Sequence, residues 1–167
     1  MPLNKSIALV GRPNVGKSRL FNRMLGRRVS IVHDMPGVTR DIVAEKLPCG
    51  AVLMDTGGIG ATAEMTHKVI ADATDEQAEF AISAADLIIL VVDSQSGLVP
   101  LDEKIAEKIR KSGRDAILAV NKADIPEHDS RIADFCRLGF AKVCPVSAEH
   151  AGAWASFGRL CSSIWAI

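Results

Sequence analysis

Short, almost continuously apolar runs recur along the chain and alternate with amphipathic stretches. Five of these runs are predicted to be strands, at residues 6 to 11, 51 to 55, 86 to 93, 116 to 121 and 142 to 147. Because they lack the alternation of a strand with one wet face, we expect them to be covered on both sides, as in a parallel sheet. Helices are predicted at residues 17 to 25, 64 to 83, 101 to 112, 129 to 138 and 153 to 165.

Residues 41 to 47, DIVAEKL, do alternate, and the turn-forming PCG follows them. This segment predicts a hairpin with residues 51 to 55, and so one antiparallel edge strand. The whole pattern predicts a single doubly wound α/β domain, with a mostly parallel six-stranded sheet and helices on both faces. Gly113 is expected to cap the helix at 101 to 112.

The charge balance is neutral, with 20 basic and 20 acidic residues in 167. Such a chain has no general field that would attract nucleic acid or an anionic membrane, so we expect no membrane partner and no sequence-specific nucleic-acid binding by this domain. The longest apolar run, residues 87 to 92, is far too short to span a bilayer, which favours a cytoplasmic protein. The four cysteines form no C-x-x-C pair, so reduced and mostly structural thiols are expected.

The first strand leads directly into GRPNVGKS, residues 11 to 18, which fits the G-x-x-x-x-G-K-[ST] phosphate loop in its required strand–loop–helix context. The two glycines let backbone N–H groups turn onto phosphate oxygens, next to the positive end of a helix. Lys17 is expected to reach the β- and γ-phosphates and Ser18 to bind Mg²⁺. The alternative is a simple glycine turn with a solvated lysine. The residues assigned to nucleotide binding here are Gly11, Arg12, Pro13, Asn14, Val15, Gly16, Lys17, Ser18 and Arg19.

Asp55 ends an apolar strand, where its carboxylate can meet a metal on Ser18, directly or through water. It opens the sequence DTGG, which is expected to place the Gly58 N–H near the γ-phosphate. An aspartate before glycines is more often a plain turn, so this prediction depends on the phosphate loop. The nucleotide-binding residues assigned here are Asp55, Thr56, Gly57, Gly58 and Ile59.

The sequence NKAD, residues 121 to 124, follows a third strand. The Asp124 carboxylate can accept two hydrogen bonds from the N1–H and N2–H₂ edge of guanine, and adenine offers no matching donors. Asn121 is expected to tie this segment to the phosphate loop. The sequence SAE at 147 to 149 ends the last strand, and there the Ala148 N–H could meet guanine O6. Each segment alone would suggest a surface turn, but together they predict a guanine site made of Asn121, Lys122, Ala123, Asp124, Ser147 and Ala148.

A long segment, residues 27 to 41, separates the first helix from the edge strand and contains Thr39. Its threonine could place a hydroxyl on Mg²⁺ and an N–H on the γ-phosphate. The segment would then become ordered only when a triphosphate is present. The segment would then be a switch loop; the alternative is a polar loop with a threonine in a turn.

Six motifs carry a family resemblance: GRPNVGKS, PGVTRD, DTGGI, VVDSQSGLVPLDEKIAEKIRKSG, NKAD and VSAEH. Together they resemble the first GTPase domain of the EngA (Der) family, bacterial GTPases of large-subunit ribosome assembly. The resemblance covers most of residues 6 to 150. The related Era and MnmE families usually have DTPG and DTAG in place of DTGG. Arg19 departs from the family, which more often has serine or threonine there.

The resemblance implies a P-loop GTPase fold, GTP and GDP as ligands, Mg²⁺ as cofactor and hydrolysis of GTP. It also implies that the large ribosomal subunit, or its precursor, is a partner through a longer protein with a second GTPase domain and a KH-like domain. Residues 1 to 167 would then be an excised first domain.

Two functions remain open from the sequence. The first is a slow GTPase, in which Lys17, Thr39, Asp55 and the Gly58 N–H act on the phosphates. The second is a binding module whose nucleotide state sets the shape of residues 27 to 41 and 57 to 75, with little hydrolysis. Ile59 favours the second, because it stands where many nucleotide hydrolases have a water-orienting glutamine.

Asn14 is the candidate that would help a hydrolase without that glutamine. Charge that develops between the β- and γ-phosphates needs a compensating positive group, and the Asn14 side-chain oxygen could coordinate K⁺ there. The family resemblance agrees, since relatives with asparagine at this position tend to be stimulated by K⁺. The alternative is that Asn14 merely suits the backbone angles of the loop.

Overall fold

Six strands form one sheet in the computed structural model, which describes residues 5–26, 42–56, 66–123 and 129–147. The strand order across the sheet is β2-β3-β1-β4-β5-β6. Neighbouring strands are parallel except for β2 and β3, which are antiparallel, so the predicted edge hairpin is confirmed. The strands are β1 Ser6–Val10, β2 Val43–Lys46, β3 Val52–Asp55, β4 Leu87–Asp93, β5 Asp115–Asn121 and β6 Val143–Pro145.

Helices cover both faces of this sheet, as predicted. Leu20 and Phe21 of the first helix pack on one face, while Ala81 and Ile105 of the second and third helices pack on the other. All seven residues of β4 are buried, because this central strand lies between the two layers. The helices are α1 Lys17–Leu25, α2 His67–Ala84, α3 Pro100–Lys111 and α4 Asp129–Phe135.

The predicted helix at residues 129 to 138 is wrong in its last turn, because Cys136–Leu138 forms a 3₁₀ turn after α4. The predicted cap is also shifted by one residue. Ser112 ends α3 with helical angles, and Gly113 follows it at φ +71°, the left-handed conformation that closes many helices. The helix predicted at residues 153 to 165 lies outside the described residues.

Of the three cysteines within the described ranges, only Cys144 lies in the core, and burial raises the pKa of its thiol. Cys49 and Cys136 are exposed, so the expectation of mostly structural thiols is wrong for these two. Across the described part of the chain, every helix is too short or too polar to cross a bilayer.

Candidate nucleotide site at the carboxyl edge of the sheet

Polar side chains end three strands of the parallel sheet at the same edge. Asp55 ends β3, Asp93 ends β4 and Asn121 ends β5, and all three are buried. The strand β1 lies between β3 and β4 and leads into the predicted phosphate loop, residues 11 to 18. The carboxyl edge of an open α/β sheet is where such folds bind ligands, so the geometry gathers the predicted motifs at one place.

The two glycines of the phosphate loop are required by close contacts. A Cβ at Gly11 would overlap the Val91 carbonyl oxygen, and a Cβ at Gly16 would overlap the side-chain amide of Asn121. Gly16 also has φ +96°, an angle that side chains rarely tolerate. The loop therefore packs directly against the ends of β4 and β5.

Lys17 begins α1 and is 7% exposed. Its ammonium group donates hydrogen bonds to the carbonyl oxygens of Gly11 and Arg12, the second at 2.9 Å. An ammonium has three N–H donors, so one remains for a phosphate oxygen. Burial lowers the pKa of Lys17 to about 8, and the nearby Asp55 carboxylate partly opposes this effect. A phosphate beside the ammonium would raise that pKa again and keep the lysine charged.

Ser18 and Asp55, the predicted magnesium ligands, lie side by side. The Ser18 hydroxyl donates to Asp55 Oδ2 at 3.2 Å, and Asp55 is 3% exposed. A hydroxyl and a carboxylate are the hard oxygen ligands that Mg²⁺ prefers, and Mg²⁺ usually completes its shell with water and substrate phosphates. The pair therefore fits a magnesium ion held next to a nucleotide.

Asn121, the first residue of NKAD, ties that base-side motif to the phosphate loop, as predicted. Its side-chain amide donates to the Val15 carbonyl oxygen at 2.9 Å, and Asn121 is 1% exposed. The same amide passes over Gly16, which explains why a glycine is needed there. The two motifs are therefore parts of one site.

Lys122 has a left-handed backbone, φ +60°. Its ammonium donates to Asp93 Oδ2 at 2.8 Å and to the Asn14 carbonyl oxygen at 3.2 Å. Its own carbonyl oxygen accepts a hydrogen bond from the Ser94 hydroxyl at 2.9 Å. A non-glycine residue at positive φ is uncommon and often lies at a functional site.

Asp93 is a residue of this site that the sequence analysis did not single out. Besides its ion pair with Lys122, its other oxygen accepts a hydrogen bond from the Gln95 N–H at 2.8 Å. Its signal in the sequence is position, because a carboxylate ends the all-apolar β4 just as Asp55 ends β3. Asp93 therefore fixes the segment between β4 and α3 and the base-side lysine together.

Arg12 was assigned to nucleotide binding, but its side chain is held by the start of α3. Its Nε donates to Asp102 Oδ1 at 2.8 Å, and one terminal nitrogen donates to the Ser96 hydroxyl at 3.2 Å. Asp102 is 1% exposed, and the sequence analysis did not single it out. The guanidinium is thus committed to the protein, and the backbone of Arg12 is left to face a ligand.

The other assigned residues of the described ranges differ in the roles of their side chains. Thr56 donates its hydroxyl to the Leu9 carbonyl oxygen at 2.6 Å, and the Val15 side chain packs in the core, so these two side chains are structural. Asn14 and Arg19 are exposed at the loop, with Asn14 at φ +65°. Three more assigned residues lie within the described ranges: Pro13 and Ala123 are half-buried, with the Ala123 N–H donating to the Val146 carbonyl oxygen at 3.3 Å, and Ser147 is 4% exposed. Thr39, Gly57, Gly58, Ile59, Asp124 and Ala148 lie outside the described residues.

A strand–loop–helix phosphate site, with Asp55 on one side and Asn121 on the other, defines a P-loop nucleotide-binding domain of the GTPase type. A family model described as 50S ribosome-binding GTPase matches residues 6–122. The chain belongs to this family.

Comparisons with individual proteins agree with the family. The chain is 47% identical over 150 residues to the GTPase Der of Akkermansia muciniphila, a match that covers 87% of this chain and 31% of the relative. A probable GTP-binding protein engB has a similar structure, with a TM-score of 0.76 and 25% identity over 97% of this chain and all of that one. Era in complex with MgGDPNP and a 16S ribosomal RNA fragment also matches, with a TM-score of 0.67 and 26% identity over 96% of this chain and 55% of that one.

These matches confirm the resemblance to Der-type GTPases and the α/β fold predicted from the sequence. The chain spans about a third of the length of the curated Der relatives that it matches, 31% to 34% in the cases compared.

Proposed function

We propose that this protein binds Mg²⁺ and GTP at the carboxyl edge of its sheet and hydrolyses GTP to GDP and phosphate. The observation that carries the proposal is the hydrogen bond from Asn121 to Val15, because it joins a guanine-selecting motif to a phosphate loop in one site. The nucleotide state would control a step in the cytoplasmic assembly of the large ribosomal subunit. The matching family model, described as 50S ribosome-binding GTPase, supports the ribosomal part of this proposal.

Each chemical group that GTP needs is supplied by this chain. The backbone of residues 11 to 16 binds the phosphate oxygens, Lys17 adds a buried positive charge, and Asp124 selects guanine. Ser18 and Asp55 would hold a magnesium ion, which neutralises phosphate charge when bound. Thr39 and the Gly58 N–H are assigned to the γ-phosphate, which would make hydrolysis depend on the segments around them.

Binding and hydrolysis can be separated in one experiment. Calorimetry with Mg²⁺-GTP and Mg²⁺-ATP measures binding, and single-turnover assays measure phosphate release from GTP. The proposal expects binding of GTP but not ATP, followed by slow hydrolysis. Binding without phosphate release would favour the module in which hydrolysis is incidental, and equal binding of ATP would contradict the guanine site.

Two variants test the assigned roles. Lys17→Ala is expected to weaken GTP binding while the protein stays folded, because the side chain acts on the ligand. Asp124→Asn is expected to weaken GTP binding by about 1.5–3 kcal/mol and to favour xanthosine triphosphate, whose 2-oxo group accepts where guanine donates. Unchanged GTP affinity in Asp124→Asn would remove Asp124 from base recognition.

We also propose that K⁺ stimulates hydrolysis through Asn14. Asn14 is exposed in the phosphate loop, so its side-chain oxygen is free to face a cation between phosphates. However, its φ of +65° also suits asparagine for backbone reasons alone. Asn14→Gly separates the two explanations, because glycine keeps the left-handed angle but has no side-chain oxygen.

The expected result is at least roughly tenfold faster turnover in KCl than in NaCl or a bulky organic chloride at equal ionic strength, a fraction of what an arginine finger contributes. Asn14→Gly should lose this stimulation and Asn14→Asp should keep it. Equal rates in all three salts, or full stimulation in Asn14→Gly, would show that the asparagine serves the backbone only.

A further inference from the structure

Arg12 and Asp102 form a part-buried ion pair that joins the phosphate loop to α3, 90 residues further along the chain. Arg12 Nε lies 2.8 Å from Asp102 Oδ1, and the two side chains are 18% and 1% exposed. Asp102 also accepts a hydrogen bond from the Val99 N–H at 3.3 Å, in the residue just before α3. The carboxylate is therefore fixed by its own helix and holds the arginine in turn.

The held arginine also fixes a backbone group inside the loop. The Arg12 carbonyl oxygen accepts a hydrogen bond from the Lys17 ammonium at 2.9 Å. Because the Gly11 carbonyl takes a second N–H of the same ammonium, the position of the Arg12 peptide decides where the third N–H points. That third N–H is the one available for a phosphate.

The segment between β4 and α3 supports the same link from its other side. Ser96 accepts a hydrogen bond from Arg12 at 3.2 Å, and its N–H is held by Asp93 Oδ1 at 3.4 Å. Arg131 of α4 donates to the Gln95 carbonyl oxygen at 2.6 Å. The segment that holds the Arg12 side chain is therefore anchored by Asp93 and by Arg131. Because this segment is fixed, it cannot easily follow a movement of the arginine.

We propose that Asp102 is a positioning residue for nucleotide binding, acting through the Arg12 side chain and its carbonyl oxygen on Lys17. This inference rests on the proposed GTP site and adds a residue to it that never touches the ligand. The inference predicts a specific dependence on the ligand, because only nucleotides with a β- or γ-phosphate contact Lys17. The effect of losing Asp102 should therefore depend on the number of phosphates.

The test compares Asp102→Asn and Arg12→Met with the parent protein. Competition against fluorescently labelled GDP measures the affinity of each protein for GTP, GDP and GMP. Each variant is expected to lose GTP and GDP affinity on the order of tenfold, the size of coupling within one hydrogen-bond network. Affinity for GMP should stay unchanged. The double variant should lose no more than the larger single loss, because both changes break one link.

Urea unfolding separates this role from a merely structural one. A smaller folded fraction would weaken the binding of all three nucleotides equally, and that result would overturn the inference. Equal or tighter GTP binding by Asp102→Asn would overturn it too, since a released guanidinium would then be binding phosphate itself. If the parent binds no GTP, the proposed function fails instead, so the two failures are distinguishable.

Asp75→Asn is the matched control, because Asp75 belongs to another ion pair of α3. Asp75 of α2 accepts a hydrogen bond from Lys108 of α3 at 2.7 Å, and both side chains are about a third exposed. This substitution breaks an ion pair of α3 that is remote from the phosphate loop, so nucleotide affinities should not change. A tenfold GTP loss in Asp75→Asn as well would mean that α3 acts as a whole and that Asp102 has no special position.

Discussion

The carboxyl and amino edges of the sheet use similar polar groups in different ways. At the amino edge, the Ser6 N–H donates to Asp86 Oδ2 at 2.8 Å and the Asp86 N–H donates to the Ser6 carbonyl oxygen at 2.9 Å, in exposed positions between two strand starts. At the carboxyl edge, the strand-ending residues Asp55, Asp93 and Asn121 are buried. Water can replace a hydrogen bond at the exposed amino edge, but it cannot do so at the buried carboxyl edge.

The backbone differs between the two edges as well. Positive φ angles at the amino edge occur at glycines, such as Gly113 and Gly139, where they cost little. At the carboxyl edge, Asn14 and Lys122 also adopt them. Unfavourable backbone that is held in place by surrounding contacts is typical of ligand sites. The comparison indicates that the carboxyl edge is built for a ligand, whereas the described residues of the amino edge have no such backbone.

The largest expected effect comes from Gly16→Ala, with Gly113→Ala as its control at the amino edge. Both glycines have positive φ, but a Cβ at Gly16 would overlap the Asn121 amide and a Cβ at Gly113 meets nothing within 4 Å. We expect Gly16→Ala to lose roughly 3 kcal/mol, or about 100-fold, in GDP affinity by calorimetry. Gly113→Ala should cost about 1 kcal/mol in unfolding free energy and leave affinity unchanged. Similar losses of affinity in both would contradict the comparison.

The second effect is a pH dependence that only the carboxyl edge should show. The pKa of Lys17 falls from 10.5 to about 8 on folding, mainly because of burial. The unfolded chain therefore binds more protons between these values, so stability should rise as pH increases from about 8 to 10.5. The rise relative to Lys17→Met is up to about 3 kcal/mol, at about 1.4 kcal/mol per pKa unit.

Urea unfolding at pH 7.5 and 10.5, without nucleotide, measures this effect. Lys142→Met, at a half-buried lysine beside β6 at the amino edge, controls for removal of a lysine in general. If the parent and Lys17→Met respond to pH in the same way, the ammonium is not buried as the structure has it.

The third effect sharpens the account of Gly16. Asn121→Ala removes the hydrogen bond to Val15 and is expected to weaken GDP binding about tenfold, the lower part of the cost of leaving a buried acceptor unpaired. It also removes the amide that a Cβ at Gly16 would overlap. Gly16→Ala should therefore cost less in the Asn121→Ala background than in the parent. Strict additivity would mean that backbone angle, and not the overlap, explains Gly16.

Much of this site could be predicted because its residues occur in fixed local patterns. Lys17 and Ser18 are adjacent in a motif, and Asp55 and Asn121 each end a strand whose apolar run is visible in the sequence. The roles of Asp93 and Asp102 could not be predicted in this way. Each has a local explanation, a strand end and a helix start, and their partners Lys122 and Arg12 become neighbours only when the sheet forms.

The orientation of side chains was also beyond the sequence. Arg12 stands inside the phosphate loop, so its assignment to the ligand was reasonable, yet its guanidinium reaches α3 instead. Asn14 has two sufficient reasons to be asparagine, a left-handed angle and a possible cation. A pattern of residues shows which groups are near a ligand, and the fold decides which of them are already occupied.

The smallest expected effect is at the amino edge itself. The Ser6 hydroxyl lies 3.0 Å from the Ala84 carbonyl oxygen and 3.2 Å from Asp86 Oδ2, in an exposed position. Ser6→Ala should cost no more than about 1 kcal/mol in unfolding free energy, because water can take over these partners. GDP affinity should stay within about twofold of the parent, as expected for independent sites. A larger change in affinity at equal folded fraction would mean that β1 transmits changes from its start to the phosphate loop at its end, and the two edges would no longer be separate in function.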